Sequence, residues 1–242
     1  MQSSLAAAPV SDRFADGDVC VVVPMYNEAA VVGGVVAELR TVFDRVVCVD
    51  DGSADGSAEV ARAAGATVVR HCTNLGPGAA LQTGLEYAIT STDAEYIVTF
   101  DADGQHRVED AVAMVRSSRE DQVDVLFGSR FLGVESDMPR ARRVLLRGAR
   151  WVSRLTSRLD LTDTHIGLRV LRRDVVAQLR LQLCWMAYAS ELESAIRRHR
   201  WSYREHPVSV LYTDYSLAKG QQGVNAINIL LDLLIARVRV AR

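Results

Sequence analysis

Several things are missing from this 242-residue chain, and each absence removes a class of protein. No stretch reaches the roughly 18 apolar residues that cross a bilayer as a helix, so the sequence predicts no membrane span. The opening residues 1–18, MQSSLAAAPVSDRFADGD, lack a basic start and an apolar centre, and read as a loose tail rather than a secretion signal. The four cysteines (Cys20, Cys48, Cys72 and Cys184) include no CxxC pair. The first three fall in or beside strand-like runs, and all four are expected to be reduced, core-type thiols of a cytosolic protein. Five histidines (His71, His106, His165, His199 and His206) show no zinc spacing, and only His106 and His165 are candidates to face a site. There is no internal repeat or low-complexity segment. A net charge of −2 gives no reason to expect a nucleic-acid partner. What remains, with 49% hydrophobic residues, can bury a large core in one α/β domain with a C-terminal appendage.

Strand-like and helix-like runs alternate along the first half. The valine-rich run Val19–Pro24 has the continuous apolarity of a strand buried on both faces, and a helix is expected from about Ala29 to Phe43, with Val32, Val35, Val36 and Leu39 on one side. A second strand, Val46–Val49, ends in Asp50-Asp51-Gly52-Ser53, and Asp55 is placed to cap a helix running through Ala64. Expected next are a strand at Thr67–Val69, a helix from about Ala79 to Ile89, a strand at Tyr96–Phe100, a helix from about Glu109 to Ser117, and a strand at Val123–Phe127. A βαβαβαβ progression predicts a parallel sheet with right-handed crossovers.

Chemistry gathers where these strands end. In YIVTFDADGQH the apolar run stops at Asp101-Ala102-Asp103, and Gly104 turns the chain before Gln105 and His106. Alternation sends Asp101 and Asp103 to the same side at a strand's carboxyl end, where open α/β sheets bind ligands. Two hard oxygen ligands suit a divalent cation that also holds a diphosphate; two solvated turn aspartates are the plain alternative. A base can stack on Tyr26, and Asp50 or Asp51 can accept hydrogen bonds from a base or ribose. Gly76-Pro77-Gly78 allows close backbone approach, but follows the third strand and lacks the third glycine of a dinucleotide fingerprint.

In order and spacing, VVVPMYNE, VVCVDDGSADGS, NLGPGAALQTGL and FDADGQH resemble the nucleotide-sugar domain of family 2 glycosyltransferases with the GT-A (Rossmann-like) fold. With GSRF and later segments, the resemblance extends to about Lys219 and narrows to dolichyl- or polyprenyl-phosphate mannose and glucose synthases. It implies a mostly parallel central sheet in a domain over residues 19–220, followed by a C-terminal amphipathic helix over 221–242. It further implies that Pro24, Tyr26, Asn27, Glu28, Asp50, Asp51, Gly78, Asp101 and Ala102 line the donor. Asp101, Asp103 and Gln105 would hold Mg²⁺ or Mn²⁺, with Asp103, Arg130 and Lys219 in catalytic roles and inversion at the anomeric carbon. Arg130, Arg142, Arg143 and Arg169 would bind the acceptor. The implied partners are a nucleotide diphosphate sugar of the GDP-mannose or UDP-glucose type and a polyprenyl phosphate, met at the inner face of the plasma membrane, with room for a homo-oligomer or a membrane partner subunit.

Between Arg140 and Arg158 lie seven arginines and no acid, and six of them (Arg140, Arg143, Arg147, Arg150, Arg154 and Arg158) recur every three or four residues on one helical face. Such a row fits either an anionic lipid surface or a solvated helix face. A phosphate acceptor needs no general base, whereas a hydroxyl acceptor would need one, for which Asp163, Glu191 and Glu193 are the candidates. Against the family pattern, Leu168 stands where an aromatic is usual, and Thr213 stands where some synthases carry a phosphate-binding arginine. Glu205-His206-Pro207-Val208 matches the family's Glu-x-Pro-Val. The apolar run 224–236, followed by Arg237, Arg239 and Arg242, either packs on the domain, lies in a membrane interface or forms a dimer contact. A non-catalytic nucleotide-sugar binding module is the reading from another class.

Overall fold

The computed structural model describes Phe14, residues 17–132, Leu159, residues 161–163, 166–183 and 188–211. In chain order the elements are β1 (Val19–Met25), α1 (Val32–Val42), β2 (Arg45–Asp50), α2 (Ser57–Ala63), β3 (Thr67–Arg70), α3 (Pro77–Ser91), β4 (Tyr96–Thr99), α4 (Val108–Asp121), β5 (Val125–Ser129), β6 (Arg169–Arg172), α5 (Arg173–Gln178), α6 (Tyr188–His199) and β7 (Tyr203–Pro207). The strands form one sheet in the order β3-β2-β1-β4-β6-β5-β7. All run parallel except β6, which is antiparallel to both β4 and β5.

Side-chain alternation along β1 explains the layering. Val19, Val21, Val23 and Met25 join one apolar cluster with α1, α2 and α4; Cys20 and Val22 join another with α3, α5 and α6. The sheet is therefore covered on both faces, which is why β1 is valine-rich throughout rather than alternating with polar residues. Each valine so buried contributes about 1.5–3 kcal/mol relative to exposure. Burial pushes the thiols of Cys20 and Cys48 up to about 12, so neither is a nucleophile at neutral pH. Cys72, by contrast, is exposed, which corrects its expected place in the core.

Other departures from the expected boundaries have local causes. The first helix starts at Val32, three residues later than expected, because side chains of the next loop take up the preceding backbone donors: Glu28 N–H donates to Ser57 Oγ at 2.8 Å and Ala29 N–H to Asp55 Oδ2 at 3.0 Å. The fifth strand sits two residues further on than expected, ending at Ser129, where it pairs with Pro207. Glu205, His206 and Pro207 of the Glu-x-Pro-Val match close the last strand, Tyr203–Pro207. The arginine-rich run 140–158, the tail before Phe14 and the apolar run 224–236 lie outside the described residues. Among the described residues no helix is long and apolar enough to cross a membrane.

Close packing of α3 on the sheet rests on one glycine. A Cβ at Gly84 would meet Val22 Cγ1 at 2.2 Å and Val49 Cγ2 at 3.2 Å. Alanine would gain about 1 kcal/mol of helix propensity there. Overpacking against two buried valines costs about 1–3 kcal/mol and wins. Gly84→Ala should lower the urea midpoint with an unchanged m value; a midpoint that rises would show that α3 moves away from the sheet freely.

Candidate active site

Five strands (β1, β2, β4, β5 and β7) deliver polar residues to the same sheet edge. On the β1/β2 side, Asn27 adopts left-handed backbone (φ 52°), its N–H donates to Ser53 Oγ at 2.9 Å, and its Oδ1 accepts from Ala54 N–H at 3.1 Å. With the Glu28–Ser57 bond, this locks the loop after β1 to the loop after β2. Tyr26 is left 44% exposed beside them, while Pro24 is half-buried within β1 and Glu28 is buried.

The paired aspartates are occupied by the protein itself. Asp50, fully buried, accepts from Ser53 N–H at 2.9 Å, and its other oxygen lies 3.1 Å from Arg70 Nε. Asp51 accepts from the N–H groups of Leu75 (2.9 Å) and Gly76 (2.7 Å) and lies 2.7 Å from His71 Nδ1; His71 Nε2 is in turn 2.9 Å from Thr83 Oγ1. Asp51 thus fixes the entry to α3, where Gly76 has φ 96° and Gly78 is buried in the first turn. Both carboxylates shape this part of the edge from behind.

At the end of β4, Asp101 Oδ2 is 2.8 Å from His106 Nε2. Its carboxylate also presses on Gly167, where a Cβ would lie 2.0 Å from Asp101 Oδ1. Thr99 Oγ1 donates to Gly167 O at 2.5 Å and holds that glycine in place. Asp103 Oδ1 accepts from Gln105 N–H at 3.0 Å. Burial and then the charge of Asp101 push the Asp103 carboxyl up to about 6. Burial works the same way on Asp101, but the hydrogen bond and charge of His106, then the charges of Arg169 and Arg130, hold it below its ordinary value. Two carboxylates this close in charge, with hard oxygens and a glycine cradle that only a bare Cα allows, fit a divalent cation. Ala102 between them is buried, and Gln105 is half-buried with its carbonyl accepting from Leu211 N–H at 2.8 Å.

On the β5/β7 side, Arg130 forms a two-pronged pair with Asp163, Nε to Oδ2 at 2.6 Å and a terminal nitrogen to Oδ1 at 2.7 Å, with Asp163 buried and Arg130 half-buried. Glu205 Oε1 accepts from Thr162 N–H (2.6 Å), Thr162 Oγ1 (2.8 Å) and Asp163 N–H (3.0 Å), so Glu205 sets the turn that presents Asp163. Arg169 is only 1% exposed, its guanidinium 5.8 Å from the ring centre of Phe127 and 5.5 Å from that of Tyr188. Glu191 Oε2 accepts from the N–H groups of Gln182 and Leu183, and Glu193 is buried on α6. Arg142, Arg143, His165 and Lys219 lie outside the described residues. Sequence reasoning gave no role to His71, Gly167, Ser53 or Ser57; a glycine four residues beyond Asp163 was the one visible sign of the Asp101 cradle.

A doubly covered, mostly parallel sheet with an Asp-x-Asp turn at the end of a central strand defines a GT-A nucleotide-sugar enzyme. The profile of glycosyl transferase family 2 matches residues 20–180, and the chain belongs to that family: it is a glycosyltransferase. It is 30% identical over 226 residues to the uncharacterized protein MJ1222 of Methanocaldococcus jannaschii, covering 91% of this chain and 93% of that one. It is 27% identical to the UDP-N-acetylglucosamine–dolichyl-phosphate N-acetylglucosaminyltransferase of Methanococcus voltae, covering 93% and 98%. Among solved structures, glucosyl-3-phosphoglycerate synthase of Mycobacterium tuberculosis with Mg²⁺ and uridine diphosphate shares the fold, with a TM-score of 0.66 at 18% identity over 91% of this chain and 79% of that one.

Two outcomes follow from the Asp101–Asp103 geometry. Gly167→Ala should displace the Asp101 carboxylate and cut transfer by about 10²-fold while leaving the fold intact, because misplacement by about 1 Å is enough to do so; transfer at the parent rate would show that Asp101 is not needed where it sits. Because the folded-state pKa of Asp103 is raised, the metal-free protein loses stability as pH rises from about 4 through about 6. Asp103→Asn should therefore melt higher than the parent at pH 8 without metal, with the gap closing below pH 4. Equal melting temperatures at pH 8 would refute the raised value.

Proposed function

We propose that the protein is a metal-dependent, inverting hexosyltransferase that moves a sugar from a nucleotide diphosphate donor of the GDP-mannose or UDP-glucose type to a polyprenyl phosphate at the cytoplasmic membrane surface. The observation that carries the acceptor assignment is the state of the carboxylates. Asp163 is held by the Arg130 fork, Glu191 takes up two backbone donors, and Glu193 is buried within α6. A hydroxyl acceptor needs one of them as a base; a phosphate, anionic already, needs none. The names of full-length and partial relatives point the same way, dolichyl phosphate being named for the Methanococcus voltae enzyme and for a Haloferax volcanii hexose transferase.

In this reading Tyr26 stacks against the base, and Asn27 and Glu28 hold their loop beside it. Asp50 and Asp51 fix the loops that bound the donor pocket, and Gly78 lets the α3 terminus come close to it. Asp101, Asp103 and Gln105 would hold Mg²⁺ or Mn²⁺, which neutralises charge developing on the departing diphosphate. His106 and Gly167 orient Asp101 for that task. The Arg130–Asp163 pair carries no net charge, so its contribution to the acceptor is a rigid guanidinium plane. Positive charge for the acceptor phosphate falls to Arg142, Arg143 and Lys219, with Arg169 supporting Asp101 from inside the sheet. Oxocarbenium-like charge on the sugar makes this placement of nucleophile and leaving group the main source of rate.

A mass-spectrometric transfer assay tests the reading, using Mn²⁺ or Mg²⁺, a panel of nucleotide sugars and polyprenyl phosphate in detergent. A polyprenyl phosphosugar is expected from the parent, and none from Asp103→Ala. Donor hydrolysis without a lipid product would favour a hydroxyl acceptor, and full activity in Asp103→Ala would overturn the metal assignment.

A further inference from the structure

Below the amino-terminal ends of β1 and β2 lies a cavity of about 280 Å³ that the transfer reaction leaves unused. Arg45 opens β2 and Cys20 stands near the start of β1; Arg40 and Asp44 come from the end of α1 and the loop after it, and Tyr87 and Ser91 from the last turns of α3. Strand β2 then carries the chain from Arg45 to Asp50 at about 3.3 Å per residue, so the cavity lies roughly 17 Å from the edge where the donor would sit. It is no part of the donor pocket.

Two arginines line this cavity, and among the described residues neither has an ion pair. Arg40 donates from Nη1 to the carbonyls of Phe43, at 3.3 Å, and Asp44, closing the end of α1. Arg45 makes no such bond, and its Nη1 is buried without a hydrogen-bond partner. The backbone of Gly17, with φ 68°, lies against the same guanidinium: a Cβ there would stand 2.6 Å from Arg45 Cζ. Burial drives the Cys20 thiol up and the charge of Arg45 opposes it, so the cationic head lies under β1 rather than out in solvent. Asp44, the acid on the wall, already has an interaction of its own. Cations at helix ends are ordinary where they bond the last carbonyls, as Arg40 does. That explanation does not extend to Arg45.

We infer that this cavity is a second anion site, which takes a phosphate group either free or at the end of a short organic body. A buried charged donor left unpaired is costly, and an anion relieves that cost. Guanidinium forks match phosphate oxygens two at a time, and the hydroxyls of Tyr87 and Ser91 on the α3 wall supply donors for the oxygens that remain. The volume falls just below the roughly 300–1,000 Å³ of sites for drug-sized ligands, which suits a compact phosphate and excludes a whole nucleotide sugar. The inference is independent of the proposed donor and acceptor, since no residue of either site lines the cavity.

The test is calorimetric titration of the full chain with inorganic phosphate and, separately, with a hexose phosphate. Mg²⁺ and UDP or GDP are held at saturation so that the donor edge is filled, and chloride at matched ionic strength is the control. The parent should bind at least one of the two phosphates, and Arg45→Gln should weaken that binding by about tenfold or more. Ser91→Glu, on an exposed position of the same wall, should do the same by bringing a competing carboxylate to the cavity, and it decides the matter if Arg45→Gln fails to fold. Equal affinity for the two ligands would identify free phosphate as the occupant, and tighter binding of the hexose phosphate would identify a monoester. No binding to the parent beyond the chloride control would overturn the site. So would binding that survives unchanged in either folded variant, because the phosphate would then lie elsewhere.

Discussion

Asp101 is held from two sides, by His106 Nε2 at 2.8 Å and by the bare backbone of Gly167, and the site depends on both contacts. Each reaches into a different part of the chain. Gly167 leads into β6, whose register against β4 pairs Thr99 with Arg169. His106 is buried edge-on against Phe100 and bridges through its backbone to Val210, beyond β7. Asp101 and His106 together therefore tie segments near residues 100, 167 and 210 to one another, and any side chain at residue 167 would have to displace the Asp101 carboxylate.

Electrostatics around this point are divided between neighbours two residues apart. The His106 hydrogen bond and the charges of Arg169 and Arg130 hold Asp101 below its ordinary value, while Asp103 bears the repulsion and holds its proton up to about 6. Asp163 offsets Arg130, so the cationic side does not accumulate unpaired charge in a buried place. In the function proposed above, a divalent cation between the two carboxylates would offset the repulsion that Asp103 bears.

Much of this was legible in the sequence because it is local. Continuous valine runs mark β1 and β2 as doubly covered, and the residue types after each strand mark the edge where the site lies. The roles of individual carboxylates were harder to read. Asp50 and Asp51 look alike as neighbours, yet one meets Arg70 and the other meets His71 and the turn before α3, contacts 20 to 25 residues away. Arg130 looks like a free phosphate ligand until Asp163, 33 residues on, takes two of its donors. Strand β6 was not anticipated as a strand, since four residues flanked by arginines carry too little periodicity, and its antiparallel direction depends on partners at both sides.

That reversed strand also bears on how the protein comes into being. The parallel group β3-β2-β1-β4 is complete once Thr99 has been made, but the free side of β4, with Ile97 and Val98 at its centre, waits for β6 roughly 70 residues later. At a synthesis rate of about 5–20 residues per second, an apolar strand edge stays uncovered in the nascent chain for several seconds. An open, hydrophobic edge of that kind is a template for pairing with another chain. The interval between β4 and β6, rather than any weakness of the finished sheet, is where this sequence is most exposed to misassembly.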